Sequence, residues 1–119
     1  MSFRSYFPDR GDLVFVNFAP SAGHEQTGDR PAIVMSPRSY NRRSGLAICC
    51  PITTKPKGYP FELLLPAAPG LPIAGAILCD HVRSFDYRER NMRLVGQAPS
   101  ALVEEALDLI VTPLDAEQE

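Results

Sequence analysis

The chain has 119 residues, 45% of them hydrophobic and 22% charged, the size and composition of one ordinary globular domain. Its net charge of −2 argues at first against a polyanionic partner, because nucleic-acid binders usually carry a basic excess. Of the 14 acids, however, six stand in the last sixteen residues with no Lys or Arg among them, which leaves 12 bases against eight acids, a net of +4, in residues 1–103.

Pro and Gly divide the chain into short segments. LVFVNF, residues 13–18, alternates and is rich in β-formers, so it predicts a strand. Residues 20–28 are polar with two Gly and predict a long loop. AIVMS, 32–36, is a second strand, and residues 37–45 are a turn or short helical connector. LAICCPIT, 46–53, is a third strand, apolar on both faces and so central. FELLL at 61–65, AILCDHV at 76–82 and MRLVGQA at 92–98 complete six strands, with SFDYRER as a connector between the last two. After Ser100, a good N-cap, Leu102, Val103, Ala106, Leu107, Ile110 and Leu114 recur at helical spacing, with Glu104, Glu105 and Asp108 on the other face. Pro113 should bend or end this helix.

The expected architecture is β-rich α+β: about six short strands in a small, strongly bent antiparallel barrel, with a C-terminal helix and short helical connectors outside. Residues 1–114 form the single domain, and 115–119 an acidic, frayed tail.

Cys49, Cys50 and Cys79 are odd in number and two are adjacent, unlike a secreted disulfide framework. Neighbours on a strand point to opposite faces, so Cys49 and Cys50 do not chelate one ion. Small buried hydrophobes in a reducing compartment are the expectation. The N-terminus lacks the apolar stretch of a signal peptide, and no apolar run approaches the ~20 residues of a membrane span. The chain is expected to be cytoplasmic, with no metal, cofactor or membrane partner.

Four features bear on chemistry. Glu25, beside His24 in GHEQTGDRP, is a carboxylate on a Gly-flanked loop, suited to general base work. Arg30 enters the second strand just before Pro31, where a fixed guanidinium can hold a phosphate and offset charge developing on it. Thr53 ends the third strand and Thr54 follows it, and a Thr hydroxyl can donate to a phosphate oxygen. The bases Arg42, Arg43, Lys55, Lys57, Arg83 and their neighbours stand among Tyr40, Tyr59, Phe61 and Phe85, a mixture suited to single-stranded RNA, where rings stack on bases and cations follow phosphates. Each also has a plain alternative as solvated surface or strand-forming residue. His81 next to Asp80 is expected to point away from it, both lying on a predicted strand. P-loop, dinucleotide, zinc and GxSxG motifs are absent.

PDRGDLVFVNF (8–18), HEQTGDRPAIVMSP (24–37), Tyr40-Asn41 and CPITTKPKGYPFE (50–62), with CDHVRSFD (79–86) and the terminal helix, together resemble the MazF/PemK family of toxin–antitoxin endoribonucleases over nearly the whole chain. The resemblance implies an SH3-like barrel and a homodimer. It implies metal-independent, sequence-specific cleavage of single-stranded RNA by 2′-OH attack, giving a 2′,3′-cyclic phosphate and a 5′-OH end. It maps the catalytic residues onto Arg30, Thr53 and Glu25, with His24 a rival base, and RNA contacts onto Thr54, Lys55, Lys57, Tyr59, Arg83, Arg42 and Arg43. It also implies a cognate antitoxin whose acidic C-terminal segment occupies the RNA groove. Three positions depart from the family pattern: Asp29 where close relatives carry His, His81 where Gln is commoner, and Phe15 where Trp is frequent. Two other functions remain open: a CcdB-like toxin that binds a protein target such as gyrase, and a catalytically dead relative that binds RNA or antitoxin, which Asp29 motivates.

Overall fold

The computed structural model describes residues 6–18 and 28–115. Strand alternation shapes the sheet. In β1 (Asp12–Asn17) Leu13 and Phe15 face one side, Val14 and Val16 the other. β2 (Asp29–Val34) pairs β1 antiparallel, Leu13 opposite Ile33 and Val16 opposite Arg30. A helical turn, α1 (Arg38–Ser44), leads into β3 (Leu46–Thr53). α1 stops at Gly45, whose φ of 77° suits a residue without Cβ and whose N–H donates to the Asn41 carbonyl.

β3 is the central strand. One edge pairs β2. The other is shared: β6 (Arg83–Asp86) takes the part from Leu46 to Cys49, and β5 (Gly75–Leu78) takes Ile52 and Thr53. The changeover falls at Cys50 and Pro51, and Pro51 has no N–H to give a ladder. β4 (Glu62–Leu65) pairs β5, and β7 (Arg93–Gln97) pairs the outer edge of β1. The path β4-β5-β3-β2-β1-β7, with β6 beside β3, is a strongly curled antiparallel half-barrel.

Each face of the curl has its own core. On one, α2 (Ser100–Asp115) lays Val103 and Ala106 over Leu13, Ile33, Cys50, Ile52 and Ile77. The other gathers Val14, Val16, Ala32, Val34, Cys49, Phe85 and Tyr87, rimmed by Tyr6, Phe7 and Phe18. Cys49 and Cys50 thus enter different cores, as their adjacency requires.

Four sequence expectations need correction. The connector after residue 82 contains a strand, β6, whose lone apolar residue, Phe85, gives no visible alternation; pairing with β3 makes it a strand. The strand expected at 76–82 ends at Leu78, and Asp80 and His81 lie beyond it, in a turn closed by His81 N–H to the Leu78 carbonyl at 3.0 Å. Their side chains do not diverge: His81 Nε2 is 3.7 Å from Asp80 Oδ1. The helix continues past Pro113 to Asp115, and Leu114, counted in its apolar stripe, is 81% exposed. Residues 116–119 lie outside the described residues.

Candidate nucleic-acid interface and active site

The β2–β3 ladder pairs Ala32 with Pro51, Ile33 with Cys50 and Val34 with Cys49. That ladder ends at Ala32 and Pro51, and Arg30 and Thr53 each lie two residues beyond this last pair. Alternation then puts both on the face of Ala32 and Val34, away from α2. The same face receives Arg83, which is opposite Cys49 in the β3–β6 ladder. The three residues therefore share one face of the curled sheet although they lie far apart in sequence.

Phe18 joins two of them. The Arg30 guanidinium carbon is 5.9 Å from the Phe18 ring centroid and that of Arg83 is 5.3 Å from it, while Arg83 also lies 4.5 Å from the Phe85 ring. Phe18 meets Phe85 edge-on at 4.8 Å. Cation–π contacts of this kind restrict both guanidinium groups while leaving their N–H edges exposed to a ligand. Sequence reasoning did not select Phe18. The only signal was its place at the end of an alternating strand, which predicts core.

Thr53 is half-buried, and its hydroxyl accepts the Lys55 N–H at 3.1 Å. Glu62 shapes the segment that follows: its Oε1 accepts the N–H groups of Lys57 and Gly58, both at 2.9 Å. The turn thus held presents Thr54, Lys55, Lys57 and Tyr59 to solvent, Tyr59 at 61% exposure. Gly75, with φ of 150°, brings β5 so close that a Cβ there would lie 2.0 Å from the Thr53 carbonyl oxygen. Glu62 and Gly75 were also missed as site residues, since their roles depend on a turn and a close approach that appear only in three dimensions.

Arg42 and Arg43 sit apart from this group, exposed on α1. Arg42 stacks 4.6 Å from the Phe7 ring, and Arg88 lies 5.9 Å from the same ring. Phe7 rims the same core as Phe18, so these bases extend the basic face and do not join Arg30. Glu25 and His24 lie outside the described residues. Asp29 turns to the opposite face from Arg30 and bonds Arg93 at 2.7 Å.

Part of the sequence that carries the family resemblance is architectural. Asn41 is fully buried: its Nδ2 donates to the Pro8 and Ser36 carbonyls, and its Oδ1 accepts the Ser36 hydroxyl. Asp12 is buried and accepts from the Tyr6 hydroxyl, the Asp9 N–H and the Gln97 amide. Burial, then the Asp12 hydrogen bond, holds the Tyr6 phenol well above its ordinary pKa. Burial also raises all three thiols, Cys50 to about 12 and Cys79 to about 11, which makes them poor nucleophiles at neutral pH. Among the described residues no group of three or more His, Cys, Asp or Glu side chains is placed to hold a metal ion. A cleft of about 510 Å³ lies at the other end of β1, lined by residues such as Arg10, Gly11, Gln97 and Ser100. Arg30, Thr53, Arg83, Lys55, Lys57 and Tyr59 are not among the residues that line it.

The chain is thus a curled antiparallel half-barrel with one terminal helix, with Arg30, Thr53 and Arg83 on one face among bases and rings. Residues 9–112 match the family described as PemK-like, MazF-like toxin of type II toxin–antitoxin system, and the chain belongs to that family. It is 46% identical over 98 residues to the endoribonuclease toxin MazF of Escherichia coli strain K12, covering 82% of this chain and 86% of that protein. The crystal structure of MazF from Deinococcus radiodurans superposes with a TM-score of 0.82 at 46% identity, over 94% of this chain and all of that one. MazF in a MazE–MazF crystal structure from the same organism gives 0.85 at 45% identity, over 95% of this chain and all of that one. No helix among the described residues is long and apolar enough to cross a membrane.

Proposed function

We propose that this protein is an endoribonuclease toxin, neutralised by a cognate antitoxin, that cuts single-stranded RNA at a short sequence without a metal ion. The observation that carries this is that Arg30 and Thr53, each two residues beyond the last β2–β3 pair, share one basic face with Arg83. The substrate supplies its own nucleophile. A base takes the proton of the ribose 2′-OH, the 2′-oxygen bonds to the adjacent phosphorus, and the bond from phosphorus to the 5′-oxygen breaks. The 5′-oxygen leaves protonated, giving a 2′,3′-cyclic phosphate and a 5′-OH end.

In this scheme Arg30 stabilises charge building on the non-bridging oxygens, and Thr53 donates its hydroxyl to the scissile phosphate and holds it in line. A guanidinium gives up its proton too reluctantly to act as an acid, so proton transfer falls to Glu25 or His24. Thr54, Lys55, Lys57 and Tyr59 contact RNA on one side of the scissile phosphate. Arg83, then Arg42 and Arg43, contact it along the same face. Asp29 faces away from Arg30 and pairs with Arg93, which counts against the inactive relative that Asp29 motivates.

The antitoxin supplies an acidic segment for this basic face. The active unit is a homodimer, supported by the exposed apolar residues Leu64, Val111 and Leu114. The protein works in the cytoplasm, without a membrane partner. The test is sequencing of cleavage ends from total RNA incubated with the protein in EDTA. Cuts at one short motif with 5′-OH ends support the proposal. Gyrase inhibition without RNA cutting, or tight RNA binding without cutting, contradicts it.

A further inference from the structure

Asp29 and Arg93 stand on strands that do not pair. Arg93 lies opposite Phe15 in the β1–β7 ladder, and Asp29 opposite Asn17 in the β1–β2 ladder. Their 2.7 Å contact therefore crosses β1 diagonally. It does so on the face of Phe15, opposite the face carrying Arg30. At this level β2 has lost its other neighbour, since its ladder with β3 runs only from Ala32 to Val34. Among the described residues, the strand that pairs the Asp29–Arg30 backbone is β1, so what tethers Asp29 bears on Arg30.

Arg93 is itself fixed. Its Nη1 donates to the Asn91 carbonyl at 2.9 Å, within a tight turn in which Asn91 has a φ of 54°. The same turn grips the end of β1: Asn17 N–H donates to the Arg90 carbonyl at 2.9 Å, and Arg90 Nη1 donates to the Asn17 carbonyl at 3.4 Å. The turn before β7 thus reaches both strands at the end where Arg30 emerges.

We infer that the Asp29–Arg93 ion pair is a positioning device for Arg30, a lateral tether that fixes the backbone from which the guanidinium projects. This rests on the proposed role of Arg30 at the scissile phosphate. Asp29 directly precedes Arg30 and leaves the opposite face, so the tether acts without occupying the RNA surface. It also gives the Asp at this position a use unrelated to proton transfer. A misplacement of 1 Å can cost a reaction about 10²-fold. A half-exposed ion pair is a softer restraint, so its loss should cost about tenfold.

The experiment is single-turnover cleavage at saturating RNA by D29N, R93Q and the double variant, with affinity measured on RNA carrying a 2′-deoxyribose at the cut site. Each single variant should cut about tenfold more slowly and bind within about twofold of wild type. The double should be no slower than either single, because one interaction is lost in all three. The charge swap D29R/R93D should regain part of the rate. Wild-type rates in the single variants, losses that multiply in the double, or a loss in affinity with the rate intact would each overturn the inference. If R93Q fails to fold, D29N against R93K carries the same test, with R93K expected near wild type. R30A separates the two claims. If R30A cuts at the wild-type rate, the role of Arg30 is wrong; if R30A is inactive while R93Q is fully active, only the tether is wrong.

Discussion

Replacing Glu62 with Ala should loosen the turn after Thr53 while leaving the sheet folded. One carboxylate oxygen accepts two backbone N–H groups there, each at 2.9 Å. Hydrogen bonds to a charged group contribute about 1.5–3 kcal/mol net each when well shielded. Lys57 and Gly58 are exposed, so water replaces part of that, and about 1–2 kcal/mol of local order should be lost for the pair. That is a rise of roughly 5–30-fold in the population with the turn open. Native-state proteolysis reads it directly. Trypsin should cut the bond between Lys57 and Gly58 faster by that factor, while Lys55 stays protected by Pro56. E62Q, which keeps an acceptor but not the charge, should fall between. RNA affinity should drop in the same order, because Lys55, Lys57 and Tyr59 ride on this turn. Cleavage after Lys57 at the wild-type rate in E62A would refute the reasoning. So would cuts spread over all basic residues with a collapsed melting temperature, which would mean that Glu62 holds the whole fold and not the turn.

The remaining predictions concern the scaffold. Asn41→Ala takes away the acceptor of the Ser36 hydroxyl, which keeps only the bond it accepts from the Ile48 N–H, and the donor to two carbonyls, and should cost about 2–4 kcal/mol by denaturant unfolding; a loss below about 1 kcal/mol would show that the network carries little. Gly75→Ala puts a methyl 2.0 Å from the Thr53 carbonyl and should lower cleavage by at least about tenfold even where the chain still folds, since β5 must back away from Thr53; a fully active variant would show that this approach does not position Thr53. The folded chain holds protons on Cys50 and Cys79 up to about 12 and about 11, against an ordinary 9.0. Their contribution to stability is therefore complete below pH ~9 and lost as pH rises through about 11 to 12. The melting temperature should fall over that window, and fall less in C79A; an unchanged alkaline slope in C79A would assign the effect to other groups.

How much of this was visible in the sequence depended on where the information sat. Alternation in LVFVNF and the two-sided apolar run of LAICCPIT were enough for the strands that anchor the sheet, and the observed β3 has the expected bounds. β6 was not visible, because a strand with one apolar residue is recognised only by its neighbour. The helix was expected to yield at Pro113, yet its hydrogen-bonded turns continue to Asp115. Arg30 and Thr53 stood out as residue types suited to phosphate, but their alignment depends on ladder register, which the sequence does not state. The bases on α1 counted with the others in composition and prove to lie apart from them. Phe18, Glu62 and Gly75 act through a ring contact, a turn and a close approach, and none of these has a local signature. The charge asymmetry was legible: the net basic body is the part that carries the face with Arg30, Arg83, Lys55 and Lys57.

The central claim is that Arg30, on the same sheet face as Thr53, does its work on the scissile phosphate. The most direct test is the single-turnover cleavage rate of R30A beside wild type in EDTA, on one RNA carrying the mapped motif, with the chemistry of both new ends determined. The account predicts 2′,3′-cyclic phosphate and 5′-OH ends from the wild type, and a rate lower by about 10²–10³-fold in a folded R30A. Equal rates in the two proteins, or 5′-phosphate ends, would contradict it.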